Sequence, residues 1–169
     1  PLRREGPPPI HIQLARRFYE GGATVDLPFA AALGLVEEMA AFFDAAGELR
    51  PAANVLYRPR GARSTNQEVL DQALIYAAYG GQIEAAAFLL ARGATIDGRP
   101  AGGFWEDFGG LTALHIAVWA ARSKMVAFLP EEGADPTLTD KNFNAPPIGW
   151  AIHLNRETNR VHLQEAMQK

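Results

Sequence analysis

The chain has 169 residues, 48% of them apolar and 21% charged, the size and balance of one globular domain and not of a disordered, highly charged polymer. Sixteen basic and nineteen acidic side chains leave a net charge of −3, too even for a chain-wide nucleic-acid or anionic-membrane surface. With no cysteine, disulfides, thiolate zinc sites and a cysteine nucleophile are excluded, and a reducing compartment is permitted. Thirty Ala stand against 22 Val, Ile and Thr together, which favours close-packed helices and predicts an all-α fold.

In chain order, Arg3, Arg4 and Glu5 precede Gly6 and Pro7 to Pro9, which is not the apolar core of a secretory signal and predicts a cytoplasmic protein. A helical tail follows, Ile12 to Asp26 (IQLARRFYEGGATVD), which is self-similar to Ile83 to Asp97 (IEAAAFLLARGATID) and, in part, to Met125 to Pro136. Each tail ends in Gly-Ala, where glycine can take φ > 0 and stop a helix. The longest apolar run, Leu27 to Val36, is interrupted by Pro28 and Gly34 and stopped by Glu37 and Glu38, far short of the roughly 18 residues that a membrane span needs. Stepping back 21 residues from Gly47, Gly93 and Gly133 reaches DLPFAAA, QALIYAA and TALHIAV. Each block therefore reads as a small Ala-rich helix, a turn, and a helix with bulky apolar residues.

These residues resemble the ankyrin family, whose repeat opens on a Thr-Pro-Leu-His-like segment and closes on Gly-Ala-Asp. The resemblance is fullest at Asp107, Gly110, Thr112 to His115 and Ala117, continuing to Gly133, Ala134 and Asp135, and a last copy starts at PPIGWAI, Pro146 to Ile152. It implies a single solenoid domain with a half repeat at about 10–25, repeats at about 26–47, 70–97, 107–136 and 140–169, and enlarged connectors at about 48–69 and 97–110. Matched alanines at Ala31, Ala77, Ala117 and Ala151 would let neighbouring first helices approach closely, and the His115 position is filled by Phe29, Ile75 and Gly149 elsewhere. The first full repeat has a second register, one residue along, if Gly34 marks its inter-helix turn.

Function is expected where the repeat spacing breaks and where repeats align side chains. The closing glycines at 22, 47, 93 and 133 are 25, 46 and 40 residues apart, against a family period of about 33. The second connector carries Arg50, Tyr57, Arg58, Arg60 and Arg63, suited to carboxylate or phosphate contacts and to stacking, with a plain solvated loop as the alternative. The third holds Phe104, Trp105 and Phe108 among glycines; Trp105 is a candidate hot spot or a plug over the helix ends. The resemblance implies that the two positions before each inter-helix turn face a concave groove. That places Tyr79, Trp119 and His153 on one strip with Phe108 and Phe143 above it, unless Trp119 only fills space between repeats.

Chemistry is less evident. The resemblance implies that His115 ties adjacent loops by hydrogen bonds to backbone. His153, Glu157 and His162 do not have the spacing of a zinc-helix motif, and neither Ser64 nor Ser123 sits in a nucleophile motif. The expected function is a non-enzymatic module that binds a protein or peptide, with no catalytic residue, metal or cofactor and no nucleic-acid or membrane partner. The alternatives are a small-molecule- or metal-dependent enzyme that uses the Arg-rich and aromatic loops, with the Arg cluster holding an anionic substrate and His153 as base, or a self-associating scaffold that dimerises through exposed aromatics.

Overall fold

The structure, a computed structural model, describes residues 10–51, 64–99 and 110–168. Nine helices occur among them: α1 Ile10–Glu20, α2 Leu27–Leu33, α3 Val36–Ala40, α4 Asn66–Gly80, α5 Ile83–Leu90, α6 Ala113–Trp119, α7 Ser123–Glu131, α8 Pro147–His153 and α9 Glu157–Ala166. The described residues contain no strand, only an isolated bridge between Phe43 and Leu49.

Helix pairs stack side by side. α2 packs on α4, α4 on α6 and α6 on α8, while α3, α5, α7 and α9 form a second row behind them, each against its own first helix. The repeat unit can be read from one recurring backbone motif. A left-handed residue ends each first helix, Gly34, Gly81, Ala121 and Asn155, with φ of 72°, 74°, 58° and 55°. The next residue's N–H then reaches back into the helix: Leu35 to the Ala30 carbonyl, Gln82 to Ala77, Arg122 to Ala117 and Arg156 to Ala151, at 3.0, 2.9, 2.8 and 2.8 Å. This closure satisfies a carbonyl that the helix end would otherwise leave unpaired.

The same motif chooses between the two registers of the first repeat. The residue equivalent to Ala77, Ala117 and Ala151 is Ala30, not Ala31, and the His115 position is Pro28, not Phe29. All four equivalent alanines are buried, so small side chains do line the seam between first helices. At Gly80 the seam is tighter still: an added Cβ would lie 2.1 Å from the Ala32 carbonyl oxygen.

Two further expectations change. Gly47 does not close a second helix, because α3 stops at Ala40 and Gly47 lies in the turn that joins Phe43 to Leu49. There Asp44 Oδ1 accepts from the Ala46 and Glu48 N–H groups, each at 2.9 Å. The connector expected over 48–69 ends earlier, since α4 starts at Asn66. Thr65 caps it by accepting from Glu68 N, and Glu68 Oε2 accepts in return from Thr65 N at 2.8 Å, the reciprocal pairing that starts helices well.

Successive loops are tied by polar groups that are wholly or partly buried. Asp71 Oδ1 accepts from Thr95 N at 2.7 Å and Asp97 Oδ2 from Asp135 N at 3.1 Å, while Arg99 donates to the Thr139 carbonyl at 2.9 Å. Burial raises the Asp97 carboxyl above its usual range, the Asp135 N–H opposing and the Asp135 carboxylate reinforcing the shift. His115 is fully buried; its Nδ1 lies 2.8 Å from Thr112 Oγ1 and its Nε2 3.1 Å from the Ala145 carbonyl oxygen. A carbonyl only accepts, so Nε2 carries the proton and Nδ1 accepts a hydrogen bond from the Thr112 hydroxyl. The loop-tying role implied for His115 is the one it performs.

Candidate functional site

Tyr79, Trp119 and His153 each stand two residues before a left-handed turn residue, so the repeat places them at equivalent points on α4, α6 and α8. They are not equally open. Tyr79 is only 9% exposed, whereas Trp119 is half-buried and His153 exposed. The Tyr79 and Trp119 ring centroids are 6.3 Å apart with planes 32° off parallel. Arg122 Nε donates to the Tyr79 carbonyl at 2.9 Å, and burial raises the Tyr79 hydroxyl's pKa, partly offset by the Arg122 charge. Tyr79 therefore backs Trp119 and is not an open groove residue, a correction to the strip expected from spacing. The neighbouring repeat packs against this end of α4: besides the Trp119 ring, the Arg122 side chain lies 2.9 Å from where a Gly81 Cβ would be.

One helical turn earlier on the same face lie Phe29, Tyr76 and Trp150, which spacing missed. Phe29 is partly open and meets Tyr76 edge-on at 5.6 Å. Trp150 meets His115 edge-on at 6.2 Å and Phe143 edge-on at 5.8 Å. The signal was present in the sequence, because Phe29, Tyr76 and Trp150 share one repeat position with Ile116 once Gly34 is aligned with Gly81.

Phe143 sits at the tip of the loop ahead of α8 and is 72% exposed. The loop is closed by Asp140, whose carboxylate accepts from the N–H groups of Asn142, Phe143 and Ala145 at 2.8, 2.7 and 3.2 Å and from Trp150 Nε1 at 2.9 Å. Burial alone would raise this carboxyl. The donated hydrogen bonds, led by the Trp150 indole, outweigh it and hold Asp140 below the usual carboxylate range. A rigid base thus presents an exposed phenyl ring.

Of the other expected site residues, Tyr57, Arg58, Arg60, Trp105 and Phe108 lie outside the described residues. Arg50, which opens the basic connector, is exposed and donates through Nε to the Phe43 carbonyl at 2.9 Å. A second guanidinium unmarked by spacing, Arg92, lies 3.4 Å from the Phe88 ring centroid and 5.1 Å from that of Phe43, a cation held on aromatic faces. Among the described residues no three His, Asp or Glu side chains form a metal-binding group. Ser123 donates to Asn159 Oδ1 at 2.7 Å, a tie between α7 and α9. A shallow groove lined by Ala127, Pro130, Glu131, His162, Glu165 and Ala166 runs between those same helices, on the row opposite the aromatics.

Comparison with known families matches a model of ankyrin repeats, in three copies, to residues 39–140. The chain belongs to the ankyrin-repeat family. That match covers more than half of it and spans α4 to α7. Ankyrin repeats are generally protein–protein interaction modules. No curated protein matches the chain at a significant level. No helix of the described residues is long and apolar enough to cross a membrane.

Proposed function

We propose that this ankyrin-repeat chain is a non-enzymatic recognition module that binds one extended segment of a protein partner along the ends of α4, α6 and α8. The observation that carries the reading is the side-by-side placement of Tyr79, Trp119 and His153 by the repeat, with Tyr79 as backing and Trp119 and His153 offered to the partner. Phe143, stacked edge-on against Trp150, supplies an anchor beside them. Aromatic rings give large contact area at low conformational cost, and few anchors carry most of the energy of an interface. Tyr57, Arg58 and Arg60 in one enlarged connector and Trp105 and Phe108 in the other are further partner contacts in this proposal. The Arg group selects an acidic stretch in the partner. A cysteine-free chain suits the reducing cytoplasm, the compartment in which we place it.

Peptides selected on the intact chain from a random display library provide the test. The tightest should lose at least about tenfold in affinity, roughly 1.4 kcal/mol, with Trp119→Ala and with Phe143→Ala while circular dichroism stays unchanged. Full affinity in both variants would overturn the assigned surface.

A further inference from the structure

The inter-helix turns carry a second row of equivalent side chains beside the aromatic ones. The residue after each left-handed turn residue is Leu35, Gln82, Arg122 and Arg156, so charge enters this row only beside α6 and α8. Two residues further on stand Glu37, Glu84, Lys124 and Thr158. This edge of a chain with net charge −3 therefore runs from acidic at α3 and α5 to basic at α7 and the start of α9. Arg122 Nε is fixed on the Tyr79 carbonyl at 2.9 Å, in the space that Gly81 leaves by having no Cβ. The next left-handed residue, Ala121, carries a Cβ, and Arg156 makes no such bond: its Nε is buried without a partner. Asn159 Nδ2 donates to the Val118 carbonyl at 3.4 Å, which holds the first turn of α9 against the end of α6, where Trp119 stands. Glu157, next to Arg156, is engaged by Arg160 through two contacts. Among the described residues neither Arg122 nor Arg156 has an ion pair.

We infer that Arg122 and Arg156 are carboxylate subsites for an acidic, proline-containing segment of a protein partner, whose two acids lie three residues apart and flank prolines seated on Trp119. The inference rests on the recognition surface proposed above and gives its occupant a charge pattern and a backbone conformation. A guanidinium presents paired N–H donors that match a carboxylate, and one whose Nε is already withdrawn from water loses less hydration on binding than an open one. Spacing sets the backbone. Packed helices lie about 8–10 Å apart, and a polyproline II chain rises about 3.1 Å per residue with three residues per turn. Acids at i and i+3 then project from one side at the distance between neighbouring repeats. A β-strand alternates faces and puts i and i+3 on opposite sides, and the described residues offer no strand edge for it to pair with. Aromatic rings are the surfaces on which such proline segments dock. Exposed Glu84 repels an acid placed further toward α4, so the acidic pair belongs over α6 and α8.

The probe is a labelled, acetylated peptide GPEPPEPG, compared with its isomer GPPEEPPG, in which the two glutamates are adjacent. Titrated with the full chain, the first should bind saturably and the isomer at least about tenfold more weakly. Arg122→Gln and Arg156→Gln should each weaken the first peptide several-fold, the second with an unchanged Tm because Arg156 has no hydrogen bond to lose. Arg17→Gln, which removes an exposed charge from α1, should have no effect. Absence of saturable binding, equal binding of the isomer, full affinity in Arg156→Gln, or an equal loss in Arg17→Gln would each overturn the inference. The library-selected peptides separate it from the reading beneath it. Dependence on Trp119 but not on Arg156 leaves the recognition surface standing and overturns this inference alone, whereas dependence on neither overturns both.

Discussion

Helices α7 and α1 occupy the same row of the solenoid, yet Leu129 on α7 is fully buried and Phe18 at the matching position of α1 is open. Both residues are large and apolar, so the side chain does not decide its own burial. The neighbouring helix does. In a stacked repeat the contribution of a residue is set by whether a partner helix lies on either side, and interior and terminal positions of equal chemistry differ in what they do.

The largest effect should come from removing that interior contact. Leu129→Ala is expected to cost about 2–5 kcal/mol in urea unfolding, the range for emptying a closed core site. Close behind stands Gly80→Ala, whose new methyl would meet the Ala32 backbone and should cost about 1–3 kcal/mol through overpacking. His115→Leu leaves Thr112 and the Ala145 carbonyl without their partner, an expected loss of about 1–3 kcal/mol. At the open end, Phe18→Ala should change stability by no more than about 0.5 kcal/mol. Equal losses at Leu129 and Phe18 would erase the distinction.

Acid sharpens the same contrast. Burial lowers the His115 pKa below the ordinary 6.5, while the Ala145 hydrogen bond and the nearby Asp140 charge oppose the shift. The folded state therefore binds fewer protons than the unfolded state, and stability falls as pH drops from about 6.5 through the lower folded value. Asp140, held below the ordinary 3.8, contributes stability that is lost only at more acidic pH. Unfolding midpoints from pH 7.5 to 4.5 should fall for the parent chain and flatten for His115→Leu.

The solenoid was legible because its punctuation is chemical. Glycine at 22, 93 and 133 stops a helix by taking positive φ, and Thr112 with His115 marks one repeat unambiguously. The first full repeat was less legible for equally physical reasons. Ala30, Ala31 and Ala32 are all buried and satisfy either register, so only the left-handed turn at Gly34 decides. Gly47 has the positive φ of a closing glycine but belongs to the Phe43–Leu49 turn. The start of α4 was readable from Thr65 and Glu68, a capping pair hidden inside what spacing marked as an insertion. Repeat position alone also put Tyr79 on the candidate surface, where it is buried beside Trp119 of the next repeat, a contact that no local pattern reveals.

Native-state hydrogen exchange tests the stacking account most directly. Amides of α6 and α7 should exchange only through global unfolding, at the free energy that urea denaturation gives, while those of α1 should exchange at least about 100-fold faster through local opening. Protection in α1 equal to that in α7 would contradict it.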